Sequence, residues 1–114
     1  MKETATTTGT GDFTTAGAVT GYRTFNSAFG TNTYFDYCIE AVDGSGVPTG
    51  DWEVGQGYLS ASTTLKRNKV YSSSNSNALV SFSAGTKYLF CTLAAQRGFT
   101  QGQAYARTIG MEMP

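Results

Sequence analysis

The sequence contains no histidine. That removes the commonest general base, the commonest metal ligand and the usual pH switch. It excludes a Ser-His-Asp or Cys-His nucleophile system outright. Charge is scarce as well: 8 basic and 8 acidic residues make only 14% of the 114 positions charged, against about 25% in an ordinary globular domain. A net charge of +0 argues against a nucleic-acid footprint and against a polybasic membrane patch. No apolar run approaches the ~20 residues needed to span a bilayer. No apolar segment follows the opening Met-Lys-Glu-Thr-Ala-Thr-Thr-Thr, so no signal peptide is expected and synthesis in a cytoplasm is.

Cysteine is limited to Cys38 and Cys91, each inside an apolar, aromatic run. Two thiols without a CxxC pair or a histidine do not make a zinc site. They are expected to be buried free thiols acting as small apolar side chains. A bridge between neighbouring strands is the alternative.

What remains is Thr, Ser, 14 Gly, 7 Tyr and 7 Phe, the composition of an all-β protein. The length fits one domain. Residues 4–8 and 12–15 read as short polar strands broken by Gly9 and Gly11. Tyr22, Phe25 and Phe29 follow a 3–4 spacing, which predicts one or two helical turns over 22–29 closed by Gly30, with a strand as the alternative. Thr33–Val42 alternates best: Phe35, Tyr37, Ile39 and Ala41 share one face, with Tyr34, Asp36, Cys38, Glu40 and Val42 on the other. Residues 43–51 read as a long turn in which Pro48 ends pairing. Trp52 and Val54 are expected to point inward, and Gly55 and Gly57 to mark a bulge or a close backbone approach. Residues 79–83 and 86–94 read as a final hairpin whose last strand is central. The architecture expected is an antiparallel, jelly-roll-like β-sandwich over 1–94 with an N-terminal arm over 1–10. After Ala95 the pattern stops, and 95–114 reads as an extended tail.

Few residues suggest chemistry. Asp36 and Glu40 share a strand face at i and i+4, so roughly 13 Å separates them, too far for a glycosidase pair. Asp43 and Asp51 flank one loop without calcium-loop spacing and read as solvated turn residues. No cofactor or metal is expected. Trp52, Tyr58 and Tyr71 are candidates for an aromatic sugar platform, though core packing accounts for most aromatics in such a chain. Lys66, Arg67 and Lys69 read as the charged guard of an edge strand, with Arg67 and Lys69 on one face. A contact with a phosphate or an acidic partner is the alternative.

"WEVG" at 52–55, "TL.R" at 64–67, "SSN" at 73–75 and "FSAGTK" at 82–87, together with "KETATTTGTGDFT" at 2–14 and "GYRTF" at 21–25, resemble a module found in structural proteins of tailed bacteriophages. The resemblance spans about residues 2–94. It implies a non-enzymatic virion protein, in the tail, fibre or capsid surface, made in the bacterial cytoplasm. It brings no catalytic residues. The partners expected are further copies of the chain, as a trimer or ring, and other virion proteins. A host glycan or receptor is the alternative. Subunit contacts are expected from Thr4, Thr6 and Thr8 in the arm and from Phe99, Tyr105, Ile109 and Met111 in the tail, by strand addition or strapping. Charge is also unevenly placed: residues 36–53 carry only acids and 66–69 only bases. The two blocks are expected to meet, within one chain or between two.

Overall fold

The computed structural model describes residues 1–91. The fold is all-β and antiparallel. Its elements are β1 (Lys2–Ala5), β2 (Phe13–Thr14), α1 (Phe25–Phe29), β3 (Phe35–Val42), β4 (Pro48–Ala61), β5 (Thr64–Ser73) and β6 (Lys87–Cys91). All six strands belong to one sheet in the order β1-β6-β3-β4-β5-β2. The chain leaving β2 then returns to the opposite edge. Thr4 N–H donates to Gly17, Ala16 N–H to Thr4 and Val19 N–H to Lys2, and Glu3 faces Ala18 across an isolated bridge. The sheet is therefore nearly closed on itself, which leaves little unpaired edge.

The inner face is built by period-2 alternation. Phe35, Tyr37 and Ile39 of β3, Leu59 of β4, Leu65 of β5 and Leu89 of β6 are buried together with Ala5, Phe13, Phe25, Val80 and Phe82. Strand β6 lies between β1 and β3, central as its two apolar faces predict. The short helix α1 forms where the aromatic spacing places it. The Thr24 side chain accepts from Ser27 N–H, and the buried carboxylate of Glu3 accepts from Phe25 N–H at 2.8 Å. These two bonds satisfy donors that a helix start leaves open. Gly30, at φ 71°, closes it. Phe25 and Phe29 stack on Phe35 at 5.0 and 4.7 Å, and each fully buried Phe contributes about 1.5–3 kcal/mol. Tyr22, grouped with them by spacing, lies before the helix and is exposed.

Several expectations are corrected. In β4 it is Glu53, Gly55, Gly57 and Leu59 that face inward, while Trp52 and Val54 lie on the outer side. Tyr37 is the reason. Its ring crosses the space beside Gly55 and Gly57, where a β-carbon at Gly55 would sit 2.2 Å from the Lys69 carbonyl and 2.8 Å from the Tyr37 hydroxyl. Pro48 does not end pairing; it opens β4 opposite Val42, a first-strand position where its missing N–H costs little. The register between β4 and β5 shifts at Gln56/Gly57, so Gly57 faces Arg67 and Gln56 faces Lys69. That shift breaks the alternation of β5 and separates Arg67 from Lys69: the first points inward and the second outward. Strand β5 is flanked by β4 and, at its start, by β2, so it is not simply a charged edge. Residues 79–83 do not form a hairpin with β6. Phe82 instead pairs with Gly9, and β6 pairs with β1 and β3. Cys38 lies opposite Phe90 and Cys91 opposite Tyr37. One step of register puts the two thiols on opposite faces of the sheet, and both are free.

Candidate functional site

The strongest polar constellation lies inside the protein. Glu53 of β4 is fully buried. Its Oε2 accepts from the Tyr37 hydroxyl at 2.6 Å and Arg67 Nε at 2.8 Å. Its Oε1 accepts from Arg67 Nη2 at 2.5 Å and Val80 N–H at 2.9 Å. Each oxygen thus receives two donors, the full complement of an ionised carboxylate. The Arg67 fork is as completely engaged. Nη1 donates to Gly9 and Gly11 carbonyls, both at 3.2 Å, and Nη2 to Val80 at 2.7 Å. The guanidinium also lies 5.1 Å from the Phe13 ring and 5.4 Å from the Phe82 ring, within cation–π range.

Four separate stretches meet here: the segment after β1, the β4–β5 hairpin, β3 and the loop before β6. Burial, followed by the bond to Glu53, holds the Tyr37 phenol well above the ordinary tyrosine range. It stays neutral and donating at any physiological pH. Beside this centre the loop after β5 is held by its own side chains. Asn75 N–H donates to Ser73 Oγ, Asn75 Nδ2 to Leu79, and Asn77 Oδ1 accepts from Ser73 N–H. Near β6, Lys87 is buried and its ammonium donates to the Ser83 carbonyl; burial pushes its ionisation down.

The quoted motifs converge on this region. Glu53 and Gly55 come from "WEVG", Arg67 from "TL.R", Ser73 and Asn75 from "SSN", and Phe82, Ser83 and Lys87 from "FSAGTK". The residues of these motifs therefore build a scaffold. The acidic and basic blocks meet within one chain through Glu53 and Arg67. A second pair, Lys66–Asp12 at 2.7 Å, lies at the surface.

The arrangement offers no geometry for hydrolysis. Its single carboxylate is saturated by donors and has no solvent access. Among the described residues no group of three or more His, Cys, Asp or Glu side chains could hold a metal. Asp43 accepts from Ser45 and Val47 N–H groups in its own turn. Burial, reinforced by Glu40, pushes the Cys38 thiol to about 11. Burial also raises Cys91, with Asp36 adding to it. Neither is set up as a nucleophile.

Trp52 and Tyr58 are on the outer side of β4, and the three candidate platform residues are not at one place. Trp52 and Tyr58 are six positions apart on β4, roughly 20 Å along a strand. Trp52 is 37% exposed, and its backbone is tied to Ser74. Tyr71 sits where the β4–β5 register shifts between Val54 and Gly55, with Lys69 Nζ 5.7 Å from its ring. Tyr58 packs edge-on against Tyr34 at 5.2 Å, a partner that spacing did not suggest. Thr4 is within β1 and half-buried; Thr6 and Thr8 follow it and are exposed. Phe99, Tyr105, Ile109 and Met111 lie outside the described residues.

Sequence reasoning missed Glu53, Arg67, Glu3 and Lys87 as interior polar groups, and placed Tyr37 on the inner face without its carboxylate partner. A signal was present in β4, where Glu, Gly, Gly and Leu recur at every second position and mark an inner face with room for large neighbours. No helix among the described residues is long and apolar enough to cross a membrane. Searches against protein-family models, curated proteins and solved structures give no match.

Proposed function

We propose that the chain is a non-enzymatic structural protein of a tailed-bacteriophage virion, working as an oligomer attached to a larger tail or capsid assembly. The observation that carries this reading is the disposition of charge. Glu3, Asp36, Glu53 and Lys87 are buried, and the Arg67 side chain is 2% exposed. A chain already poor in charge therefore places several of its charged side chains inside. The outer surface keeps Tyr22, Tyr34, Val47, Trp52 and Leu79 exposed. Such a surface associates readily, and neighbouring subunits would cover it. The resemblance of the motifs to phage structural modules supports the same reading, because the motif residues build the fold's interior rather than a reaction centre.

The experiment is native mass determination of the full chain across a concentration series, paired with a chain ending at residue 94. The expected result is a trimer or ring that weakens when 95–114 are removed. A monodisperse monomer at high concentration, unchanged by the deletion, overturns the proposal. A second reading, a glycan- or receptor-binding module at the host-facing end of the virion, is favoured by one observation. The exposed Tyr34 ring, paired with Tyr58, borders an open hollow on the outer face.

A further inference from the structure

We infer that the hollow lined by Asn32, Tyr34 and Tyr58 is a subsite for one neutral pyranose ring of a glycan. The inference rests on the glycan-binding reading above and names its site. Three observations carry it. The hollow measures about 220 Å3, below the range of drug-sized pockets and suited to a single ring. Its walls are amphipathic. Tyr34 is 56% exposed and meets Tyr58 edge-on, so an aromatic face is free to stack on the C–H face of a sugar. The polar groups at its rim are uncommitted: neither phenol nor the Asn32 carboxamide makes a hydrogen bond to a described residue, while Asn32 N–H is fixed to the Leu59 carbonyl.

Asn32 has φ 60°, a left-handed backbone that asparagine tolerates better than most residues. Its amide offers a donor and an acceptor to vicinal hydroxyls. The three lining residues carry no charge. Lys66, the register partner of Tyr58, is paired with Asp12. An anionic sugar would therefore find no unpaired positive charge on the lining residues or at that register position. Trp52, roughly 20 Å away along β4, belongs to no common platform with Tyr58.

The test is saturation-transfer NMR on the full chain with the methyl glycosides of glucose, galactose and mannose, alongside a glycan array of the same protein. The variants are Tyr34→Ala, Asn32→Gly and Trp52→Ala. Glycine suits the left-handed backbone at position 32, so that variant removes the carboxamide and spares the fold. The expected result is transfer to the ring protons of at least one glycoside. Tyr34→Ala abolishes it or weakens binding about tenfold or more. Asn32→Gly weakens it several-fold, and Trp52→Ala leaves it unchanged. Binding that survives Tyr34→Ala and Asn32→Gly overturns the site and leaves the glycan reading standing, the more so if Trp52→Ala removes it. Absence of signal from every glycoside and from the array overturns both.

Discussion

Replacing Arg67 by methionine tests the interior network most directly. The side chain is 2% exposed and its partner carboxylate 0%. The substitution keeps most of the apolar stem and removes the charge. Glu53 then retains the Tyr37 hydroxyl and Val80 N–H, but loses two charge-assisted bonds and its only counterion among the described residues. The Gly9, Gly11 and Val80 carbonyls lose their donor as well. Breaking a buried pair from one side costs about 3–5 kcal/mol, a large part of the ~5–15 kcal/mol that holds a domain of this size.

In urea, with a slope of about 1.5 kcal/mol/M, a loss of about 4 kcal/mol lowers the midpoint by roughly 2.7 M. Circular dichroism or tryptophan fluorescence reads this directly. Glu53→Gln combined with Arg67→Met should be more stable than Arg67→Met alone. The amide carbonyl still accepts from Val80, and no charge is left unpaired. Arg67→Lys should fall between wild type and Arg67→Met, because an ammonium keeps the charge but not the fork. A loss below about 1 kcal/mol for Arg67→Met, or strict additivity in the double variant, would refute the reasoning. Either result would mean that water reaches the pair.

Other consequences follow from the same geometry. Gly55→Ala should abolish folding or cost more than about 3 kcal/mol, since overpacking against rigid backbone leaves nowhere to move. Gly44→Ala, where nothing lies within 4 Å, should stay within about 0.5 kcal/mol of wild type; urea titration compares the two. Stability should decline as pH rises above about 9. The Cys38 thiol, at about 11 in the fold, and the Tyr37 phenol, raised further, both stay protonated while their unfolded counterparts ionise. The unfolded state then binds fewer protons, which lowers the unfolding free energy. Melting temperatures between pH 8 and 11 check this, and Cys38→Ala should flatten the first part of the decline. At neutral pH Cys38 should react with iodoacetamide much more slowly than a free thiol, measured by intact mass. Thr24→Ala should cost about 0.5–2 kcal/mol by removing the acceptor at the start of α1.

Much of the fold is legible locally because alternation and turn chemistry are local. Phe35, Tyr37 and Ile39 reveal one face of β3 without knowledge of what lies opposite. Phe25, Phe29 and Gly30 mark a short helix for the same reason. The misreadings cluster where a neighbour decides. Trp52 looks like an anchor by size, and Glu53 looks exposed by charge. The inner face of β4 was chosen instead by the volume of Tyr37 across the ladder and by a guanidinium on the other side. Arg67 and Lys69 share a face only if β5 is regular, and the shift at Gln56/Gly57 makes it irregular. For the candidate site, Tyr58 was recognisable as an aromatic on a strand. Tyr34, just before β3, follows the alternation that puts it on the outer face, but Asn32 carries no periodic signal, and nothing local brings either to Tyr58 on β4.

The sequence by itself determined the all-β class, the small helix, the apolar inner face of β3, the central position of β6 and the absence of histidine chemistry. These depend on residue type and on spacings of two to four positions, which no distant contact can alter. Only the tertiary structure decided that one sheet nearly closes on itself, that the acidic and basic blocks meet as a buried Glu53–Arg67 pair, and that the two cysteines face apart. Each depends on register between strands distant in sequence. A shift of a single residue reverses which side of a strand is inside, and neither composition nor spacing carries that information.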